Sequence, residues 1–69
     1  MKVSARNLLK CKVVKIETGA VNSVVTLKLS DGQEIVSVIT CSSVERLGLK
    51  EGGEAMAMIK ASNVMIAVD

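Results

Sequence analysis

The chain has 69 residues, of which 49% are apolar, and a net charge of +2 from nine Lys or Arg against seven Asp or Glu. A chain this short forms one domain, predicted here to span residues 1–69, and buries only about 60% of the surface that its unfolded form exposes. Its core has to be built without Phe, Tyr or Trp. Small scaffolds of this kind are commonly stabilised by disulfides, metals or partner subunits, and we expect a homo-oligomer.

Composition argues against several classes of protein. The chain has no His, and Cys11 and Cys41 lack metal-ligand spacing, which argues against a structural zinc site. Each cysteine lies in an apolar run, where a buried, reduced thiol is expected, although one disulfide is formally possible. The interspersed charges are not those of a nucleic-acid binder. Without a secretory signal or an apolar stretch of membrane-spanning length, we expect a cytoplasmic protein that does not associate with membranes.

The first half of the chain predicts three β-strands. Residues 8–17 are rich in β-branched side chains that nearly alternate with lysines, which is typical of a strand. A turn at 18–20 leads to a second strand at 21–29, in which alternate apolar residues share one face. Asp31-Gly32 predicts a type I′ hairpin turn, and residues 34–40 form the third strand.

The second half of the chain predicts one helix and two further strands. Ser42 and Glu45 form a capping box, and Gly48 suits the C-terminal cap, which predicts a short helix between them. Residues 54–60 then return to a strand pattern. After a break, residues 64–68 are predicted as the last strand.

Two methionines alternate with small apolar residues in the fourth predicted strand. Met56 and Met58 share one face, and Ala55, Ala57 and Ile59 share the other. We expect the methionines to fill gaps in the core, because no thiolate or imidazole accompanies them as a soft-metal site requires.

The predicted fold is all-β: a small five-stranded OB-like barrel with one short helix between strands three and four. OB barrels that bind nucleic acid stack bases on aromatic side chains, which this chain lacks. An OB-type nucleic-acid or protein-interaction module is the alternative to the function developed below. An enzyme is not expected, since there is no His and neither cysteine has a recognisable base beside it.

Three places in the sequence offer donors for a small oxyanion. Near the start, Arg6 supplies a fork of N–H donors and Ser4 adds a hydroxyl. Near the end, Lys60 supplies a compact positive charge and Ser62 a second hydroxyl. The third place is the serine-rich start of the predicted helix, at the positive end of its dipole.

Each of these places also has a purely structural interpretation. Arg6 and Lys60 could be solvated surface charges, as most Lys and Arg are. Ser42 is expected to cap the helix in any case, and Ser62-Asn63 could simply form the turn before the last strand. Residue pattern alone therefore supports a small oligomeric β-barrel that could bind an anion.

The motifs together resemble the molybdate-binding Mop, or molbindin, family, whose domain also occurs in molybdate-responsive regulators and transporter ATPases. The resemblance runs essentially end to end, with Cys11 as a departure where the family usually has Gly. The matching segments are Ser4-Ala5-Arg6-Asn7, Gly19 with Val21-Asn22, Thr40 with Ser43, Leu47-Gly48-Leu49, Glu51-Gly52, and Ile59-Lys60-Ala61-Ser62 with Val64-Met65.

The resemblance implies a hexamer, a trimer of dimers, that binds molybdate and also tungstate at its subunit interfaces for intracellular storage or homeostasis. It implies no catalytic cofactor and no direct coordination of the metal. The implied ligands are Ser4, Arg6 and the Ala5 backbone from one subunit, and Ser43, Lys60, the Ala61 backbone and Ser62 from a neighbour. These groups suit an unprotonated dianion, which needs hydrogen-bond donors and no acceptors.

Overall fold

The computed structural model describes residues 1–69 and contains four strands, one α-helix and one 3₁₀ turn. In chain order these are β1 (Asn7–Thr18), β2 (Asn22–Leu29), β3 (Glu34–Thr40), α1 (Cys41–Leu47), β4 (Glu54–Ile59) and the 3₁₀ turn (Ala61–Asn63). The all-β class and the helix between the third and fourth strands are confirmed. Neither helical segment has the length and apolar character required to cross a membrane.

The long central strand β1 organises the sheet, whose strand order is β3-β2-β1-β4 with every pair antiparallel. The first half of β1 pairs with β4, from Asn7 opposite Ile59 to Lys12 opposite Glu54. Its second half pairs with β2. The register slips by one residue between Val13 and Lys15, and such a bulge bends and twists the strand, so the sheet curls.

The core lies on the concave face of this curled sheet and is small. Five apolar side chains are buried, and eight half-buried ones pack around them. Val25 and Leu27 of β2 point inward while Val24, Thr26 and Lys28 are less buried, which confirms the predicted alternation of that strand. The buried set is Cys11, Val13, Val25, Leu27 and Ala57.

The two methionines of β4 do not belong to the core, so that prediction is wrong. Met56 is 48% exposed and Met58 57% exposed, whereas Ala57 between them is buried. Ala57 lies opposite Leu9 and Ala55 opposite Cys11. Ala55, Ala57 and Ile59 therefore form the inner face of β4, and the two methionines lie on its outer face.

The predicted fifth strand is also wrong, because the structure has four. Residues 64–68 follow the 3₁₀ turn, are exposed throughout and belong to no strand. The last backbone hydrogen bond runs from Val64 N to Ala61 O, at 3.2 Å. Residues 64–68 pair with no strand of their own chain, so their amides lack the ladder hydrogen bonds that define a strand.

The hairpin at Asp31-Gly32 exists, but its turn is not type I′. That turn needs positive φ at both central residues, whereas Gly32 has φ 93° and no residue other than glycine has positive φ. Gly32 N donates to Leu29 O at 3.0 Å and Leu29 N to Gln33 O at 2.8 Å. Asp31 accepts a hydrogen bond from Gln33 N at 3.0 Å, which stabilises this three-residue loop.

The N-cap of helix α1 is Thr40, two residues before the Ser42 that the capping-box pattern predicts. The side chain of Thr40, with extended backbone at φ −70° and ψ 151°, accepts a hydrogen bond from Ser43 N at 3.1 Å. Ser42 lies inside the helix instead. At the other end Gly48 adopts the left-handed conformation at φ 65° and its N–H bonds to Glu45 O, which confirms the predicted C-terminal cap.

Replacing Thr40 with Ala should destabilise the fold by about 1 kcal/mol, because the helix loses its capping acceptor. Thr40→Ser keeps that acceptor and is the matched control. Ser42→Ala should have a much smaller effect on the thermal midpoint. A larger loss for Ser42→Ala than for Thr40→Ala would contradict this assignment of the cap.

Candidate functional site

The opening and closing motifs of the sequence meet at one end of the sheet. Ser4-Ala5-Arg6 immediately precedes β1, and Lys60-Ala61-Ser62 immediately follows β4. Since β1 and β4 are antiparallel, with Asn7 opposite Ile59, continuing the register brings Arg6 opposite Lys60. The Asn7 side-chain amide donates to Ile59 O at 3.3 Å and ties the two strand ends together.

These two motifs line an open groove with a volume of about 780 Å³. Six of the seven residues predicted to bind the anion are in its lining. Sequence reasoning missed Val3, Met58 and Asn63. Val3 and Asn63 adjoin predicted residues in the sequence, and Met58 lies on the exposed face of β4. The full lining is Val3, Ser4, Ala5, Arg6, Met58, Lys60, Ala61, Ser62 and Asn63.

The groove is positively charged and contains no carboxylate. Arg6 and Lys60 are exposed and neither forms an ion pair. The one ion pair of the chain, Lys15 to Glu17 at 2.7 Å, lies elsewhere on β1, and its hydrogen bond and charge raise the pKa of Lys15. Two cations that face the same groove without a counter-charge favour an anionic ligand.

The backbone beside Lys60 adds further donors. Asn63 N donates to Lys60 O at 2.9 Å and closes the 3₁₀ turn. The amides of Ala61 and Ser62 precede this first hydrogen-bonded amide, so the turn itself offers them no acceptor. Across the groove, the half-buried Ala5 has a side chain too small to block its own backbone.

Ser43, the seventh predicted residue, lies far from the groove. It belongs to α1, whose first amide, Cys41 N, donates to Val21 O at 2.7 Å and fixes the helix beside the β1–β2 turn. This is the end of the sheet where β1 finishes, whereas the groove lies where β1 begins. The twelve residues of β1 can extend over up to about 36 Å, and the longest dimension of the whole chain is 36 Å. The two ends of β1 therefore lie towards opposite ends of the molecule.

The hydroxyl of Ser43 already takes part in the helix cap. It accepts a hydrogen bond from the Thr40 hydroxyl at 2.8 Å, and the Arg46 guanidinium lies 3.4 Å away. One chain therefore does not bring Ser43 together with the other six residues. Its contact with the same anion as Arg6 and Lys60 requires a second chain.

A second open groove, of about 610 Å³, differs in its chemistry. It contains three lysines but also a carboxylate, from Glu54, which would repel a dianion. The chain has no cluster of three or more His, Cys, Asp or Glu side chains that could hold a metal ion. The lining of this second groove is Lys10, Cys11, Lys12, Lys28, Leu29, Ser30, Glu54, Ala55 and Met56.

Comparison with known proteins places this chain in a family. Residues 3–66 match the TOBE domain. Molybdenum-pterin-binding protein 1 of Clostridium pasteurianum is 48% identical over 66 residues, which cover 96% of this chain and 97% of that protein. The chain belongs to the TOBE-domain family, within its Mop, or molbindin, group, and the predicted family is confirmed.

Solved structures share the same fold. A molybdate-binding protein from Sporomusa ovata superposes with a TM-score of 0.92 at 34% identity, covering 99% of this chain and 100% of that one. The cytoplasmic molybdate-binding protein ModG, in a structure with molybdate bound, gives a TM-score of 0.90 at 55% identity. It covers 94% of this chain, which in turn spans 46% of ModG.

Proposed function

We propose that this protein binds molybdate, and also tungstate, reversibly in the groove formed by its opening and closing motifs. The observation that carries the proposal is that Arg6 and Lys60 face one groove with two serine hydroxyls and no carboxylate. The molybdate-binding protein from Sporomusa ovata and the molybdate bound to ModG support the same ligand. The proposed role is storage or homeostasis of the oxyanion in the cytoplasm, where ModG is described.

The donor set matches the chemistry of a tetrahedral dianion. The Arg6 guanidinium presents a planar fork of donors, and Lys60 adds a compact charge. Ser4 and Ser62 add hydroxyls that can donate. Binding then proceeds by charge-assisted hydrogen bonds to the oxygens of the anion, and the metal atom keeps its oxo ligands throughout.

Phosphate should bind less well than molybdate. At neutral pH phosphate keeps a proton that needs a hydrogen-bond acceptor, and the groove offers no carboxylate to accept it. Sulfate has the same charge and shape as molybdate but is smaller, so its exclusion depends on the size of the closed site.

We propose binding without catalysis. Neither a carboxylate nor a thiol lines the groove, and the chain has no imidazole, so three of the common kinds of general base are missing from it.

The proposed assembly is a hexamer, a trimer of dimers, with the sites at subunit interfaces. Only six of the 69 residues are buried in one chain, which is little for a stable core and favours further burial between copies. The distant position of Ser43 supports the same arrangement. In the proposed site, a neighbouring chain brings its α1 to the groove, and its Ser43 joins six residues that line the groove of one chain: Ser4, Ala5, Arg6, Lys60, Ala61 and Ser62. This division differs from the one that the resemblance implies, in which Lys60, Ala61 and Ser62 come from the same subunit as Ser43.

Isothermal titration of the purified protein with molybdate, tungstate and sulfate tests the proposed ligand. We expect saturable heat for molybdate and tungstate and at least tenfold weaker binding of sulfate. Absence of heat for molybdate, or equal affinity for molybdate and sulfate, would refute the proposal. Native mass spectrometry of the same sample tests the hexamer.

A further inference from the structure

We propose that Arg46 is a further anion-binding residue, whose guanidinium joins the Ser43 hydroxyl in the half of the site that a neighbouring chain supplies. This inference rests on the proposed function, because it starts from an anion bound at Ser43. It adds a residue that the resemblance to the family does not imply, and it brings a third cation to the site beside Arg6 and Lys60.

Arg46 and Ser43 lie side by side on α1. Residues three apart in a helix are neighbours on one face, and the Arg46 Nη2 atom lies 3.4 Å from the Ser43 Oγ atom. Arg46 is exposed, so no packing holds its side chain away from a ligand. An anion that accepts a hydrogen bond from the Ser43 hydroxyl is therefore within reach of the guanidinium as well.

The charge of Arg46 has no firm partner in its own chain. It forms no ion pair, and the contact of its guanidinium with Ser43, at 3.4 Å, is longer than the usual range of about 2.7–3.2 Å. The adjacent carboxylate, Glu45, projects about 100° away around the helix. Most of the N–H donors in the planar fork of Arg46 thus remain available to an oxyanion.

The hydrogen bonds around Ser43 leave its hydroxyl only the role of donor. The Thr40 hydroxyl donates to Ser43 Oγ at 2.8 Å, and the Arg46 guanidinium is the second donor to the same oxygen. A hydroxyl has two acceptor positions and one proton. Both acceptor positions of Ser43 are used, so the proton is left for a ligand. Ser43 and Arg46 then both present donors, which suits an oxyanion that carries no proton.

The cap of α1 sets the direction of these hydrogen bonds. Thr40 Oγ1 accepts from Ser43 N at 3.1 Å, and its own proton is given to Ser43 Oγ. The Ser42 hydroxyl, 3.1 Å from Thr40 Oγ1, is then the donor of that pair, because the Thr40 proton is already used. The series of hydroxyls runs from Ser42 through Thr40 and ends at the proton of Ser43.

Isothermal titration with molybdate tests the proposal on the wild type, Arg46→Ala and Lys50→Ala. We expect Arg46→Ala to bind molybdate about tenfold more weakly, because a charge-assisted hydrogen bond is lost. Lys50 is an exposed cation in the loop after α1 and forms no ion pair. Lys50→Ala is therefore the matched control for net charge and should change the affinity much less. Equal affinities for the two variants would overturn the assignment.

Two further measurements separate a ligand from a residue that only supports the structure. The thermal midpoint and the assembly state of the anion-free protein should be the same for the wild type and Arg46→Ala, because the side chain is exposed. Loss of assembly or of stability in Arg46→Ala would mean that the residue acts on the fold, and the proposal would be wrong. Arg46→Lys should recover part of the affinity, since the charge returns without the planar fork.

A double-mutant cycle with Ser43→Ala tests whether both side chains contact the same anion. Groups that share a ligand have coupled effects, so the loss of affinity in the double variant should differ from the product of the two single losses. Independent losses would place Arg46 away from the anion that Ser43 contacts.

The outcomes also separate this inference from the proposed function. A wild-type protein that does not bind molybdate overturns both. Wild-type binding that Arg46→Ala leaves intact overturns this inference alone.

Discussion

Replacing Arg6 with Ala should weaken molybdate binding by roughly 10- to 100-fold. A hydrogen bond to a charged group is worth about 1.5–3 kcal/mol, and about 1.4 kcal/mol corresponds to a tenfold change in affinity. Arg6 is exposed, forms no ion pair, and lines the same groove as Lys60. Its removal takes away a fork of donors and one of two positive charges together.

The control for this variant is Lys12→Ala. Lys12 is an exposed cation on β1 that lines the other groove, so its replacement lowers the net charge equally without touching the proposed site. Arg6→Lys should fall between wild type and Arg6→Ala, because the charge stays and the planar fork is lost. If Arg6→Ala and Lys12→Ala bind molybdate equally well, the groove is not the site.

Replacing Leu27 with Ala should destabilise the protein by about 2–5 kcal/mol, the usual cost of a cavity left by a core leucine. Leu27 is 6% exposed and belongs to a core of only five buried apolar residues. It lies opposite both Val13 and Ile35. No aromatic side chain is present that could collapse into the space, and the loss is a large share of the stability of a small domain.

The stability of Leu27→Ala should be measured by thermal unfolding at one fixed protein concentration, because assembly shifts the midpoint by mass action. We expect a decrease of roughly 4–8 °C for each kcal/mol in a chain of this size. Val21→Ala removes the same kind of apolar surface from a residue that is 69% exposed and should change the midpoint little. Equal midpoints for the two variants would contradict the described core.

The strands with clear alternation could be predicted from the sequence. In β2 the buried positions recur at every second residue, and this period identifies both the strand and its inner face. β3 was predicted with the bounds that the structure has, because a glycine turn precedes it and a helix cap follows it. Local pattern was sufficient in both cases.

Predictions from local sequence pattern were wrong where contacts with neighbouring elements determine the structure. Residues 64–68 have the composition of a strand, but a strand also needs a partner strand, and these residues pair with none in their own chain. The alternation in β4 places Met56 and Met58 on one face and Ala57 on the other, but it does not show which face is buried. The register of β4 against β1 decides that, because it places Ala57 opposite Leu9 and Ala55 opposite Cys11. Thr40 and Ser42 both carry capping hydroxyls, and only the extended backbone of Thr40 selects between them.

The residues that can bind an anion could be predicted from the sequence, but their proximity depends on the pairing of the strands in the sheet. Arg6 and Lys60 are far apart in the chain, and only the register of β1 against β4 brings them together. The sequence gives no sign that Ser43 lies at the opposite end of the molecule. How the seven predicted ligands are divided between subunits therefore stays a prediction that the Arg6 and assembly experiments address.

The length of β1 has a consequence for how occupancy depends on protein concentration. Because β1 separates Ser43 from Arg6 within each chain, an anion that contacts both residues joins two polypeptides. Each bound ion then acts as a cross-link between two chains. The number of filled sites depends on the concentration of the protein as well as on that of the anion. If the site is shared between two chains as proposed, lowering the protein concentration would release anion even at a constant anion concentration.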